Sequence, residues 1–178
     1  MDKSEEFVVT GIKKYLDAIS AVKSFEKEIQ LRVKSLVDRR QPELSEFLGG
    51  RLSLDDYLWS SELPKRVQIG QRVPFKGLGL LYFYLEFTRD DSDNSCTAPA
   101  VSFNRNSRNL LTSLWDAVEL TKAQSTNENL GCNKDAIWTT SSKPCTDWES
   151  CKSVFDEVID DWIGLWKTLG GITKYLVN

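Results

Sequence analysis

The sequence predicts an α+β fold: a small antiparallel sheet of three or four strands, packed with a long N-terminal helix and two later amphipathic helices. Three observations carry this prediction. Apolar residues recur at helical spacing over the first forty or so positions. The stretch GLGLLYFYLEF, Gly77 to Phe87, is almost wholly apolar and rich in aromatics, as strands are. Two further helical stripes follow in the second half. With 178 residues, 40% hydrophobic and 28% charged, the chain has the size and composition of one globular domain, 1–178.

The first helix is predicted from Ser4 to Arg39. Val8, Ile12, Tyr15, Ile19, Val22, Ile29, Val33 and Leu36 recur at steps of four and three, with Glu26 in one seat of the series. A helix of that length outruns a small domain, at 1.5 Å per residue. The stripe is expected to lie along the domain's own core; the alternative is a homodimer seam through residues 4–39. Arg39 and Arg40 suit a helix C-terminus, and Pro42 predicts the stop. Pro42 to Leu48 then reads as a separate short helix ended by Gly49 and Gly50, and Ser53 to Asp56 as another helix start running into Tyr57, Leu58 and Trp59.

Val67, Ile69 and Val73 alternate with Gln68, Gly70 and Arg72, interrupted by Gln71. This predicts a strand with one polar face. In the following stretch, Leu78, Leu80, Tyr82 and Tyr84 line one face and Leu81, Phe83, Leu85 and Phe87 the other. Both faces being apolar, both are expected to be covered, which makes this a central strand between helical layers. Ala98 to Phe103 is a third strand, and Asn104 to Ser107 is read as the cap of a second helix with Leu110, Leu111, Leu114, Trp115 and Val118 inside. Gln124 to Asp135 is read as a loop and Ala136 to Thr140 as a short strand. Thr146 to Glu149 has the form of a capping box for the last helix. Its stripe is Phe155, Ile159, Trp162, Trp166 and Leu169, and Gly170 and Gly171 end it.

The chain has no histidine. That removes Ser-His and Cys-His nucleophile pairs and all His-containing metal sites. Its four cysteines, Cys96, Cys132, Cys145 and Cys151, are spaced by 36, 13 and 6 residues, which fits no zinc knuckle or redox motif. Free thiols are expected, with Cys132–Cys145 the pairing to consider in an oxidising compartment. The turn Asp90, Asp91, Asp93 lacks the glycine and glutamate of a calcium loop, since Cys96 and Ser102 stand in their places. No phosphate-binding glycine motif is present. No predicted strand holds an acid-x-Lys triplet, which weakens the reading as a divergent carboxylate-dependent nuclease.

Charge divides unevenly. Residues 1–89 hold 15 Lys/Arg against 13 Asp/Glu (+2), and residues 90–178 hold 8 against 13 (−5). Two basic groups, Arg32, Lys34, Arg39 and Arg40, then Lys65, Arg66, Arg72 and Lys76, sit among acids in a chain of pI about 5.2, so nucleic acid is not the expected partner. No apolar run is long enough for a membrane span. Acids stand in MDKSEEFVV where a signal peptide is basic and then apolar, which predicts a cytoplasmic protein. The densest one-signed group is Asp156, Glu157, Asp160 and Asp161, with Glu149 two turns before it. Like charges at i, i+4 cost helix stability, which points to a role beyond the helix itself.

The functional expectation is therefore a non-catalytic protein-binding module, of the inhibitor or immunity-protein kind, acting on a basic partner. Its contact residues are Asp156, Glu157, Asp160, Asp161 and Glu149, with Asp90, Asp91 and Asp93 as a second patch. The alternatives are the nuclease and a subunit that oligomerises through its N-terminal helix. No catalytic residue, metal site or cofactor is assigned.

Overall fold

The computed structural model describes residues 3–48, 58–63, 66–75, 79–89, 95–105, 112–124, 129–141, 143, 145 and 147–175. In chain order the elements are α1 (Lys3–Leu48), β1 (Leu58–Leu63), β2 (Arg66–Phe75), β3 (Gly79–Arg89), β4 (Ser95–Arg105), α2 (Ser113–Gln124), β5 (Leu130–Cys132), β6 (Ala136–Thr140), α3 (Trp148–Leu169) and a 3-10 turn, Ile172–Tyr175. The fold is α+β. Its single antiparallel sheet has six strands rather than three or four, in the order β1-β2-β3-β4-β6-β5.

The two extra strands lie at the edges. β1 covers Leu58 and Trp59, where a helix was expected, and pairs with β2 from Leu58↔Gln71 to Leu63↔Arg66. β5 falls inside the predicted polar loop and is three residues long. Both owe their conformation to a neighbouring strand rather than to local pattern. β4 also runs on to Arg105, so Asn104 and Arg105 are strand residues rather than a helix cap, and α2 begins at Ser113. Leu114 and Val118 are buried as expected; Leu110 and Leu111, like Gly49, Gly50 and Ser53 to Tyr57, lie outside the described residues.

α1 is one helix of 46 residues with Pro42 inside it, not two helices broken at proline. Proline removes a donor and crowds the carbonyl four residues back. Here tertiary contacts outweigh that cost. Leu44, two residues further on, is buried in the core, and Arg40 is held by Glu43, Asp156 and Asp160.

The core lies between one face of the sheet and the helices. Val33, Leu36, Val37 and Leu44 of α1 meet Val73, Leu81, Phe83, Val101, Phe103 and Ile137 of the sheet and Phe155, Ile159, Trp162 and Trp166 of α3. Gln71 interrupts the alternation of β2 without shifting its register: opposite Phe83, it stays on this face and is fully buried. α3 starts at an N-cap one residue later than expected. Asp147 accepts from Ser150 N at 2.7 Å and Ser150 Oγ accepts from Asp147 N at 3.1 Å, so the capping box uses Asp147 and Ser150 rather than Thr146 and Glu149. The helix ends as predicted, at Gly170 and Gly171, with φ of 78° and 84°.

Two expectations about coverage fail. Among the described residues no helix lies over the second face of β3; α1, α2 and α3 all join the core on the side of Leu81, Phe83 and Leu85. The aromatic residues of that second face line a groove instead. The stripe of α1 likewise lies on the core only from Ile29 onward. Between Thr10 and Glu28 no residue is buried, and Ile12, Tyr15, Leu16, Val22 and Phe25 are at least half exposed.

Candidate functional site

The acids singled out in α3 meet cations of the same chain. Asp156 accepts from Arg39 at 2.7 and 2.8 Å and from Arg40 at 3.3 Å. Asp160 pairs with Arg40, Glu157 with Lys143, and Glu149 with Lys152. The like-charge repulsion along α3 is thus balanced across the α1–α3 contact. Desolvation by burial works against the Arg40 charge, and hydrogen bonds to Asp160 and Glu43 outweigh it, raising its pKa overall. Asp161 is half-buried and lines a cavity with Asp160, Thr121 and Thr168. The second patch, Asp90, Asp91 and Asp93, lies outside the described residues.

A site that the sequence reading did not assign sits on the open sheet face. Here a cavity of about 380 Å³ is lined by Tyr82, Tyr84 and Trp138, with Ala100 and Ser102 among its smaller residues. The register explains the grouping. Tyr82, Ser102 and Trp138 form one row across β3, β4 and β6, and Tyr84, Ala100 and Thr140 form the next. Ser102 on β4 therefore lies between Tyr82 and Trp138, and Ala100 between Tyr84 and Thr140. At about 4.8 Å per strand, the two outer positions of a row are roughly 10 Å apart.

Trp138 is placed by a glycine. Gly131 lies opposite it on β5, and a Cβ there would collide with the indole. The ring therefore lies against the β5 backbone. The β5–β6 turn is held by Asn133, whose Oδ1 accepts from the backbone N–H of Asp135 and of Ala136, both at 2.9 Å. Trp115 of α2 donates its indole N–H to the Asn133 carbonyl at 2.6 Å.

The groove's charged lining residues are coupled. Gln68 donates to Glu86 at 2.6 Å, and Arg66 pairs with the same carboxylate at 3.4 Å. Burial pushes the Tyr84 phenol up; the nearby Glu86 charge adds to this, and a hydrogen bond with Ser102 opposes it. Tyr84 is therefore a neutral hydroxyl at physiological pH and no ready base.

A second cavity, of about 320 Å³, opens where α1 crosses the start of α3. Phe25, Ile29, Phe87 and Trp148 line it, with Cys145 and Cys151. Arg32 stacks on Trp148 at 5.0 Å. The two cysteines are hydrogen-bonded to each other; burial raises the Cys151 thiol pKa and this bond opposes the rise. Cys132 instead donates to Glu119 at 2.7 Å, and burial with that carboxylate pushes it up to about 11. Cys132 and Cys145 are both free thiols.

Among the described residues no group of three or more His, Cys, Asp or Glu is placed to hold a metal ion, and no helix is long and apolar enough to cross a membrane. The chain matches no protein-family model, no curated protein and no solved structure at a significant level.

Proposed function

We propose that the protein is a non-catalytic protein-binding module that assembles with a second copy of itself through the N-terminal half of α1. One observation carries this reading. From Ile12 to Phe25 the helix has apolar residues at the spacing of a helix–helix seam, and Ile12, Tyr15 and Val22 are 54%, 67% and 58% exposed. Exposed apolar surface of this extent on one face of a helix is the mark of an interaction site.

The occupant follows from spacing and charge. Steps of three and four between Ile12, Tyr15, Ile19 and Val22 suit a like helix packed knobs-into-holes. Beside the stripe stand Lys13, Lys14, Asp17, Lys23 and Lys27, and Glu26 fills one of its seats. Both signs are present, so the face selects neither a strongly acidic nor a strongly basic partner. The acidic face of α3 draws less support as the contact surface, because Asp156 and Asp160 already answer Arg39 and Arg40. The nuclease alternative draws none from the groove, where Glu86 is engaged by Gln68 and Arg66.

Sedimentation of the purified protein over a concentration series tests this. Wild type is expected to form dimers, and Ile12→Asp/Leu16→Asp to be a folded monomer with unchanged circular dichroism. A wild type that stays monomeric at every concentration would sink the proposal.

A further inference from the structure

From the groove on the open sheet face we infer that the protein has a binding site for a neutral saccharide. The inference is independent of self-assembly through α1. Its volume, about 380 Å³, falls in the range of small-molecule sites. Three features set the ligand's chemistry.

The first is the aromatic lining. Trp138 is laid against β5 by the glycine opposite it. Tyr82 stands at the other end of the same row, and both are half-buried. A ring with apolar C–H faces stacks on such surfaces and displaces water from them.

The second is the kind of polar group. Arg66, Gln68, Glu86, Asn104 and Asn133 line the groove. Each has a planar end with several hydrogen-bonding atoms; Arg66, Gln68 and Glu86 use some of theirs on one another, and those that remain suit the hydroxyls of a sugar edge. Donors and acceptors are both represented, as a hydroxyl requires. Asn133 uses its Oδ1 in the turn, which leaves its Nδ2 donors for another partner.

The third is net charge. Among the described residues, Arg66 and Glu86 are the charged ones of the lining, and they pair with each other. Among the described lining residues no excess charge remains to balance a phosphate, a carboxylate or a quaternary ammonium ion. A pyranose unit has the required combination: apolar faces, hydroxyl edges and no charge. A nucleoside shares the flat face and the lack of charge, so it belongs in the test as a competitor.

The probes are maltotriose, cellotriose and chitotriose, with adenosine as comparator, titrated calorimetrically into wild type, Trp138→Ala, Tyr82→Ala and Gln68→Ala. At least one trisaccharide is expected to bind wild type, with adenosine weaker. Trp138→Ala should lose roughly tenfold or more in affinity, as removal of one stacking ring does. If Trp138→Ala fails to fold, Tyr82→Ala reports the same loss from the opposite end of the row. Gln68→Ala, which removes an amide and no ring, should lose less. Absence of heat with all three trisaccharides overturns the inference. So does preferential binding of adenosine, or saccharide binding that the folded ring variants leave unchanged.

Discussion

The two halves of α1 have the same pattern and different fates. Ile12, Tyr15, Ile19 and Val22 continue into Ile29, Val33 and Leu36 at similar helical spacing. Yet Val33 is fully buried and Tyr15 is 67% exposed. The difference is geometric. At 1.5 Å per residue a helix of 46 residues is about 69 Å long, and among its described residues the buried ones begin only at Gln30. Periodicity reports that a helix has an apolar face; it does not report where that face finds a partner. The same lesson holds for β3, whose Phe83 face meets the core and whose Tyr82 face lines a groove.

The sharpest way to break this comparison is to place one charge in each half of α1. Val37→Asp puts an unpaired carboxylate into the core and should cost more than about 4 kcal/mol, a large part of the stability of an ordinary domain. Leu16→Asp should change monomer stability by less than about 0.5 kcal/mol, as surface substitutions do. Urea melts of the two variants measure the contrast, and equal losses would mean that the projecting half of α1 packs after all.

Next in size is the contrast across β3. Phe83→Ala should cost about 3–5 kcal/mol by opening a cavity in the core. Tyr82→Ala, at the half-open groove, should cost less than half as much, because its site is already in contact with solvent. Denaturant melts that ranked Tyr82 with Phe83 would restore the covered, two-sided strand.

A smaller effect is expected where the buried half of α1 is tied to α3. Arg40, whose side chain is 12% exposed, answers Glu43, Asp156 and Asp160. Arg40→Ala should cost roughly 1–3 kcal/mol, much of it from acids left facing one another. Lys143→Ala, at an exposed pair with Glu157, should cost about 0–1 kcal/mol. If the two variants melted alike, the Arg40 network would be an ordinary surface cluster.

The smallest effect is at the exposed cap of α3. Hydrogen bonds from Ser150, first from its backbone N–H, hold the Asp147 carboxyl below its ordinary value. A carboxylate with a depressed folded pKa contributes stability above its unfolded pKa and loses it as pH falls through the folded one. The melting temperature of Asp147→Ala should therefore lie slightly below wild type at neutral pH and converge with it in acid, below about pH 3.9. A gap that persisted there would assign the loss to something other than the ionised cap. The cysteines give a parallel chemical readout. Cys132, pushed up to about 11 by burial and Glu119, should alkylate slowly at pH 8. Mild oxidation should join Cys145 to Cys151 rather than to Cys132, and peptide mapping distinguishes the two pairings.

Local chemistry alone determined much of this protein. The 4-3 stripe, the β-rich aromatic run and the paired glycines after Leu169 specified α1, β3 and the end of α3, because backbone periodicity and a left-handed cap are properties of a few adjacent residues. The α+β class followed from their order. Tertiary structure decided the rest. β1 and β5 are ordered by pairing with β2 and β6 rather than by an apolar alternation of their own. Pro42 stays in a helix because Leu44 and Arg40 find partners remote in sequence. Two of the α3 acids, Asp156 and Asp160, are balanced by arginines more than a hundred residues earlier. The groove draws together β2, β3, β4 and β6, so its rings and amides share no sequence motif. Only the signs of its parts were legible: tyrosines two apart on one strand face, and a glycine near a tryptophan. Burial and charge pairing are properties of neighbours in space, and the spatial neighbours here are set by strand register and by the length of one helix.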